Sequence, residues 1–256
     1  MKPVSLDSQW YDYQSMVETY QLGELRREFA PNVRVYMILL ALLPIVMLFV
    51  FSHSYDPENK SFFALWLPIY ALIVLSCLTG LMILYRGRKR RIFVYEHGLL
   101  AVRTNNIEVI RWDEIVIVWH RFTRNKNSVT HDYTPQRRDG RQFKLGYFFS
   151  TNQALGGIIE QETTHLLLPE ALASYQQGQS LFYGPFTLDQ SGLSYKGKSL
   201  LWSEVANFQV ARGHVVIKKY NKLFAWADVV YGEVPNLRVF ERLCKMILHR
   251  PDERYT

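Results

Sequence analysis

The chain has 256 residues, 48% of them hydrophobic and 21% charged, which fits one or two folded domains and excludes a disordered chain. Its formal net charge is +7, and it carries only two cysteines, Cys77 and Cys244. Neither stands beside a His or a second Cys at ligand spacing. That excludes a disulfide framework and fits a reducing, cytoplasmic soluble portion.

Along 12–29, Met16, Tyr20, Leu22, Leu25 and Phe29 fall on one helical stripe. The spacing predicts an amphipathic helix that lies on a membrane surface or docks on the soluble part. Ala30-Pro31-Asn32 ends it. Two uncharged apolar runs follow, 35–52 and 62–85. As helices they would cover about 27 and 36 Å, against a hydrocarbon core of about 30 Å. Both faces of each run are apolar, so a two-helix transmembrane hairpin is expected, with Pro44 and Pro68 tolerated inside it. No short apolar leader with a small-residue cleavage site precedes the first run.

Basic residues set the orientation. Arg26, Arg27 and Arg34 precede the first run, and Arg86, Arg88, Lys89, Arg90 and Arg91 follow the second. The loop between them sets Lys60 against Asp56 and Glu58. Both termini are therefore expected in the cytoplasm, with the chain a two-span protein of the inner or plasma membrane. Asn59-Lys60-Ser61 matches a glycosylation acceptor but sits hard against the apolar run.

From Ile92 the periodicity turns β-like, with IFVY, LLAV, IEVI, IVIVW and FKLGYFF separated by turn residues. A helix over 155–165 and a second turn near 166–173 follow. The strand pattern restarts at Leu181 and closes in an amphipathic helix over 236–248, with Leu237, Phe240, Leu243, Cys244 and Ile247 on one side. The two halves repeat. GLLAVRTNNIEVIRWDEI begins at Gly98 and GLSYKGKSLLWSEV at Gly192, pairing Trp112 with Trp202, Glu114 with Glu204 and Ile115 with Val205.

The second copy also spells a phosphate loop, G-x-x-x-x-G-K-[ST], through Gly192, Gly197, Lys198 and Ser199. Such a loop must open a helix whose N-terminus meets the anion. By the register of the repeat, this stretch is instead a strand, Leu193 to Lys196, a tight Gly197-Lys198 turn, and a second strand. The Gly-Leu strand pair, the Trp-x-Glu-Ile step and the closing helix resemble the bacterial pleckstrin-homology-like (PH-like) domains. Nearly the whole chain resembles an uncharacterised family of bacterial membrane proteins, in which a transmembrane hairpin precedes such domains. The resemblance implies an α+β membrane protein with two tandem PH-like β-barrel or sandwich domains, each closed by a C-terminal helix. It carries over no catalytic residues.

The implied organisation is a 1–34 N-terminal segment, the 35–85 hairpin and a basic 86–91 linker. PH-like domains over 92–178 and 179–250 follow, then a 251–256 tail. Trp112 and Trp202 are expected in the core, and Gly98, Gly192, Glu114 and Glu204 in the turns of the repeat. One feature exceeds the plain fold. Between 121 and 144 stand Arg121, Arg124, Lys126, Arg137, Arg138, Arg141 and Lys144 against only Asp132 and Asp139. They form either a solvated hairpin or a surface for anionic lipid headgroups, each basic residue there contributing about 1 kcal/mol. Nucleic acid is not an expected partner of a chain tethered at a membrane.

The seven histidines include no pair spaced three or four apart and no H-E-x-x-H, so no metal is expected. No G-x-S-x-G motif and no activated cysteine stands out, and no cofactor is implied. The expected function is a membrane-anchored, non-enzymatic binding or adaptor protein engaging the bilayer, anionic headgroups or a protein partner. The alternative is an NTPase acting through 192–199.

Overall fold

The computed structural model describes residues 6–31, 33–53, 60–88, 90–103, 106–125, 128–143 and 152–248. Among them the chain is α+β, with five α-helices and several small antiparallel sheets. They group into two compact units, residues up to 109 and residues from 110 onward.

The first unit opens with α1 (Leu6–Thr19). The helix stops because Gln21 and Gly23 both take positive φ, 49° and 77°, which turns the chain and drops Leu22 into the core. There Leu22 meets Phe93 and Leu100, with Tyr13, Met16 and Val17 of α1 packed around them. Residues 25–29 then form a strand, β1 (Leu25–Phe29), antiparallel to β2 (Arg91–Tyr95), with Phe29 opposite Ile92. The expected helix through Phe29 is therefore corrected. Residues 22, 25 and 29 fit a helical stripe, but five residues are too few to separate the two periods, and pairing with β2 decides. An ion pair between Glu28 and Arg91 joins the two strands. β3 (Gly98–Arg103) and β4 (Asn106–Arg111) complete the order β1-β2-β3-β4.

Between β1 and β2 the chain forms α2 (Arg34–His53) and α3 (Lys60–Gly87), so both apolar runs are helical. The two helices touch. A Cβ on Gly80 would stand 2.6 Å from Leu40, and the Tyr70 hydroxyl donates to the Pro44 carbonyl at 3.3 Å. Among the described residues one helix, Trp66–Gly87, is long and apolar enough to cross a membrane; Arg34–Val50 is apolar but shorter. At 1.5 Å per residue it covers about 25 Å. The loop 54–59 lies outside the described residues.

In the second unit β5 (Ile115–Asn125) and β6 (Ser128–Arg137) make a long two-stranded ribbon. Of the expected strand FKLGYFF, Phe143 is buried and the rest lies outside the described residues. α4 (Asn152–Gln176) is one continuous helix where a helix and a separate turn were expected; Pro169 sits on its exposed side. β7 (Leu181–Tyr183), β8 (Phe186–Leu188), β9 (Gly192–Tyr195) and β10 (Lys198–Leu201) form a four-stranded meander. β11 (Val205–Ala211), β12 (His214–Lys219) and β13 (Ala225–Val230) form a three-stranded one. The closing helix α5 (Leu237–Leu248) lays Phe240, Leu243 and Cys244 among Phe186, Leu193, Val215 and Ile217, with the Phe186 and Phe240 rings stacked at 5.2 Å. Leu167, Leu168, Leu172 and Tyr175 of α4 pack against the same core.

Both repeat copies are visible. Each four-stranded meander ends in a 3-10 turn, Trp112–Glu114 or Trp202–Glu204, that leads into the next strand. β1 holds in the first meander the edge place that β7 holds in the second. The phosphate-loop spelling is the β9–β10 hairpin. Tyr195 pairs with Lys198 across a two-residue turn, Lys196-Gly197, whose φ values of 49° and 75° suit a tight hairpin. The turn thus sits one residue earlier than the register of the repeat suggested, and Lys198 belongs to β10.

This assignment separates two substitutions. A Cβ at Gly192 would stand 2.0 Å from the Leu200 carbonyl oxygen, so Gly192→Ala should destabilise by about 1–3 kcal/mol. Lys198→Ala, on an exposed strand, should stay within about 0.5 kcal/mol of the parent. Thermal unfolding of the full chain measures both.

Candidate functional site

Of the seven basic residues singled out in the sequence, the β5–β6 ribbon carries Arg121, Arg124 and Arg137, with Arg138 and Arg141 just past its end, and its register divides them. Near its turn Arg121 stands opposite Asp132 and Arg124 opposite Val129, and both arginines are exposed. Three residues apart on one strand, they point to opposite faces. At the other end Arg137 stands opposite Ile115. Its Nη2 lies 3.3 Å from Glu114 Oε2 and its Nε 4.0 Å from Asp139 Oδ2. Arg141 Nε lies 3.6 Å from the same Asp139 oxygen, and the exposed Arg138 donates its backbone N–H to the Glu114 carbonyl at 2.9 Å. Six and nine residues of extended strand separate Arg121 and Arg124 from the Arg137 end, about 20 and 30 Å. Among the described residues the turn-end group forms no ion pair with a carboxylate, whereas Arg137 and Arg141 lie against Glu114 and Asp139. Lys126 and Lys144 lie outside the described residues.

The repeat residues hold the turns. Glu114 Oε2 accepts the backbone N–H of Arg111 at 3.4 Å, and Glu204 Oε2 accepts that of Leu201 at 3.4 Å. Each glutamate thus satisfies a donor at the start of its 3-10 turn, which is why Trp-x-Glu recurs. Lys219 Nζ, 2.6 Å from Glu204 Oε1, holds that carboxyl below its ordinary range. Trp112 is buried, whereas Trp202 is half-buried with its Nε1–H donating to the Asp189 carbonyl at 2.9 Å. Gly98 and Gly192 are both buried where they open β3 and β9.

On the ribbon's inner face lies a cluster that spacing alone did not reveal. His120 pairs with Tyr133 and Phe122 with His131 across the strands, so all four side chains share one face. His120 Nε2 stands 2.9 Å from His131 Nδ1, and His120 Nδ1 stands 3.1 Å from Glu160 Oε1 on α4. With both imidazoles neutral, one proton arrangement satisfies the chain. His120 donates from Nδ1 to the carboxylate and accepts at Nε2 from His131 Nδ1–H. Tyr133 stacks on His120 at 4.3 Å, and Tyr231 closes over it at 5.4 Å. α4 can approach because residue 156 is glycine; a Cβ there would lie 1.9 Å from the Tyr133 ring. Burial pushes the Tyr133 and Tyr231 hydroxyls above their ordinary range. Burial first, then the neighbouring His120, hold the His131 imidazole below its ordinary 6.5. Among the described residues no group of three His, Cys, Asp or Glu is placed to hold a metal ion.

The signal that could have found this pair is cross-strand spacing. Histidines eleven apart meet only when the turn falls near 126–127 and the register places Phe122 opposite His131. A search for helical spacings passes over it.

A model of the family of unknown function DUF6585 matches residues 9–253, and the chain belongs to that family. No curated protein and no solved structure matches it.

The depressed His131 value has a defined consequence for stability. The unfolded chain takes up the proton more readily than the folded one, so stability is fully present above pH 6.5 and falls as pH drops through the folded value. Asp132 on the ribbon and Glu160 on α4 oppose the shift, and the charge of Arg238 on α5 acts against burial at Tyr133. Thermal unfolding from neutral to mildly acidic pH should show this loss. His131→Gln, which can still donate to His120, should flatten it; an unchanged acid slope would assign the loss elsewhere.

Proposed function

We propose that this DUF6585 member is a membrane-anchored, non-enzymatic binding or adaptor protein. α2 and α3 form a two-helix transmembrane hairpin with both termini cytoplasmic, and the two repeats are tandem PH-like domains that engage anionic lipid headgroups or a protein partner. The surface of α2 and α3 carries this reading. More than a dozen large apolar side chains stand exposed on them, among them Ile38, Phe49, Leu72 and Leu78. Burying a side chain of this size contributes about 1.5–3 kcal/mol. Leaving so many in water would outweigh a typical fold stability of about 5–15 kcal/mol. Lipid removes that cost. The basic residues on the outer flanks of both helices support the orientation.

The order of elements over 181–248 supports the PH-like assignment: four strands, a 3-10 turn, three strands and a closing helix. The first copy follows a related order among the described residues, with four strands interrupted by α2 and α3, a 3-10 turn, the two-stranded ribbon and α4. Headgroup contact would fall to Arg121 and Arg124 at the turn end of the ribbon, since the opposite group is engaged by carboxylates. The hairpin at 192–199 weighs against the NTPase alternative, because no helix N-terminus follows Ser199 to meet a phosphate.

Two experiments test this reading. Reporter fusions after Asn59 and after Thr256 should report opposite sides of the membrane; the same side for both would overturn the hairpin. ATP or GTP should give the purified chain no thermal stabilisation, as specific binding would by mass action. A nucleotide-dependent gain that Lys198→Ala removes would replace the adaptor reading with the NTPase.

A further inference from the structure

We infer that the tip of the β12–β13 hairpin, residues 220–224, inserts its apolar residues into an anionic membrane surface. β12 ends at Lys219 and β13 resumes at Ala225. Between them Asn221 takes a positive φ of 57°, and the Lys222 N–H donates to the Lys219 carbonyl at 3.3 Å. This turn leaves Leu223 and Phe224 outside the strand ladder. Leu223 is 95% exposed and Phe224 85%, more than any other large apolar residue among the described residues, those of α2 and α3 included. Hairpin turns are ordinarily built from Gly, Asn, Asp and Ser, so two adjacent large apolar residues at a tip have no local structural use. Among the described residues nothing covers them.

The surroundings select the occupant. Lys218 and Lys222 flank the tip and are exposed. The Tyr195 ring meets the Trp226 ring at 6.0 Å, which brings the Lys196-Gly197 turn to the same end of the unit, and Lys196 and Lys198 are exposed there too. Of the nearby carboxylates, Glu204 is paired with Lys219, and Glu233 lies on the Lys196 side. An apolar point within a ring of ammonium groups fits the headgroup boundary of an anionic bilayer. Leucine and phenylalanine enter the acyl margin, and each lysine lays its stem along that margin while its charge stays at phosphate level. Nucleic acid would satisfy the lysines and leave the apolar pair in water. The inference rests on the proposed membrane placement of α2 and α3, which keeps a bilayer at hand.

The test uses the full chain reconstituted into vesicles of phosphatidylcholine mixed with phosphatidylglycerol, and into phosphatidylcholine alone. An environment-sensitive fluorophore is attached through Leu223→Cys. Both native thiols are buried, so labelling under native conditions selects the new one. Phe182→Cys, at an exposed site on β7, provides the water-facing reference. The probe at 223 should shift to the blue in anionic vesicles and lose most of its emission to nitroxide-labelled lipid, while the probe at 182 does neither. Lys218→Glu with Lys222→Glu should abolish the difference between vesicle types. A probe at 223 that stays as wet as the one at 182 overturns the inference. So does one that turns blue without quenching, since protein would then be covering the tip. Alkaline extraction of the same vesicles reads the helices independently. Chain released by alkali defeats the transmembrane reading, and the 223 probe alone still decides the inference.

Discussion

The pairing of β1 with β2 is the constraint on which the first unit rests. These neighbouring strands are separated in sequence by both apolar helices, so the chain must leave the sheet at Phe29 and return to it at Arg91. Adjacent strands lie about 4.8 Å apart, which obliges α2 and α3 to begin and end at nearly the same place. The links are short, residues 30–33 and 88–90, and three or four residues reach at most about 14 Å when fully extended. The helices are thus an insertion within one meander. If α2 and α3 lie in a bilayer as proposed, the sheet cannot leave its surface, and a fragment begun at residue 92 would lack an edge strand and the Leu22 plug.

The two copies of the repeat share a turn and differ in what they add to it. In both, a glutamate bonds back to the backbone and a tryptophan stands at the start of the turn. The first copy then extends its next strand pair into the long ribbon, whose inner face sets His120 and His131 against Glu160 of α4. Leaving these polar groups unpaired beneath two tyrosine rings would be costly, and the hydrogen-bond chain from α4 to His131 offsets that cost. The second copy keeps its strands short and places its distinctive residues at the hairpin tips instead.

Much of this was legible in the sequence. The apolar runs read as helices because no charge interrupts them. Trp-x-Glu-[Ile/Val] disclosed the repeat, whose register showed GLSYKGKS to be a hairpin against its own spelling. What escaped depended on partners remote in sequence. Residues 25–29 are a strand only because β2 lies beside them. The histidines meet only through the ribbon register. The basic stretch looked like one surface because a linear count of charge ignores that the two ends of a hairpin strand stand far apart, one of them beside Glu114 and Asp139.

The tip at Leu223 and Phe224 escaped for a different reason. LFAWADVVY reads as a largely apolar strand interrupted only by Asp228, and pattern alone starts that strand at Leu223. Two features of β12 delay it. Asn221 in the left-handed region closes the turn early, and the register shift between Ile217 and Lys218 places Ala225 opposite Lys218. Leu223 and Phe224 are thereby left over, beyond the last paired residue. A strand start there would have set one of them toward the core and one toward water. The early turn exposes both, so the same two letters that suggest a buried strand form the most exposed apolar point among the described residues.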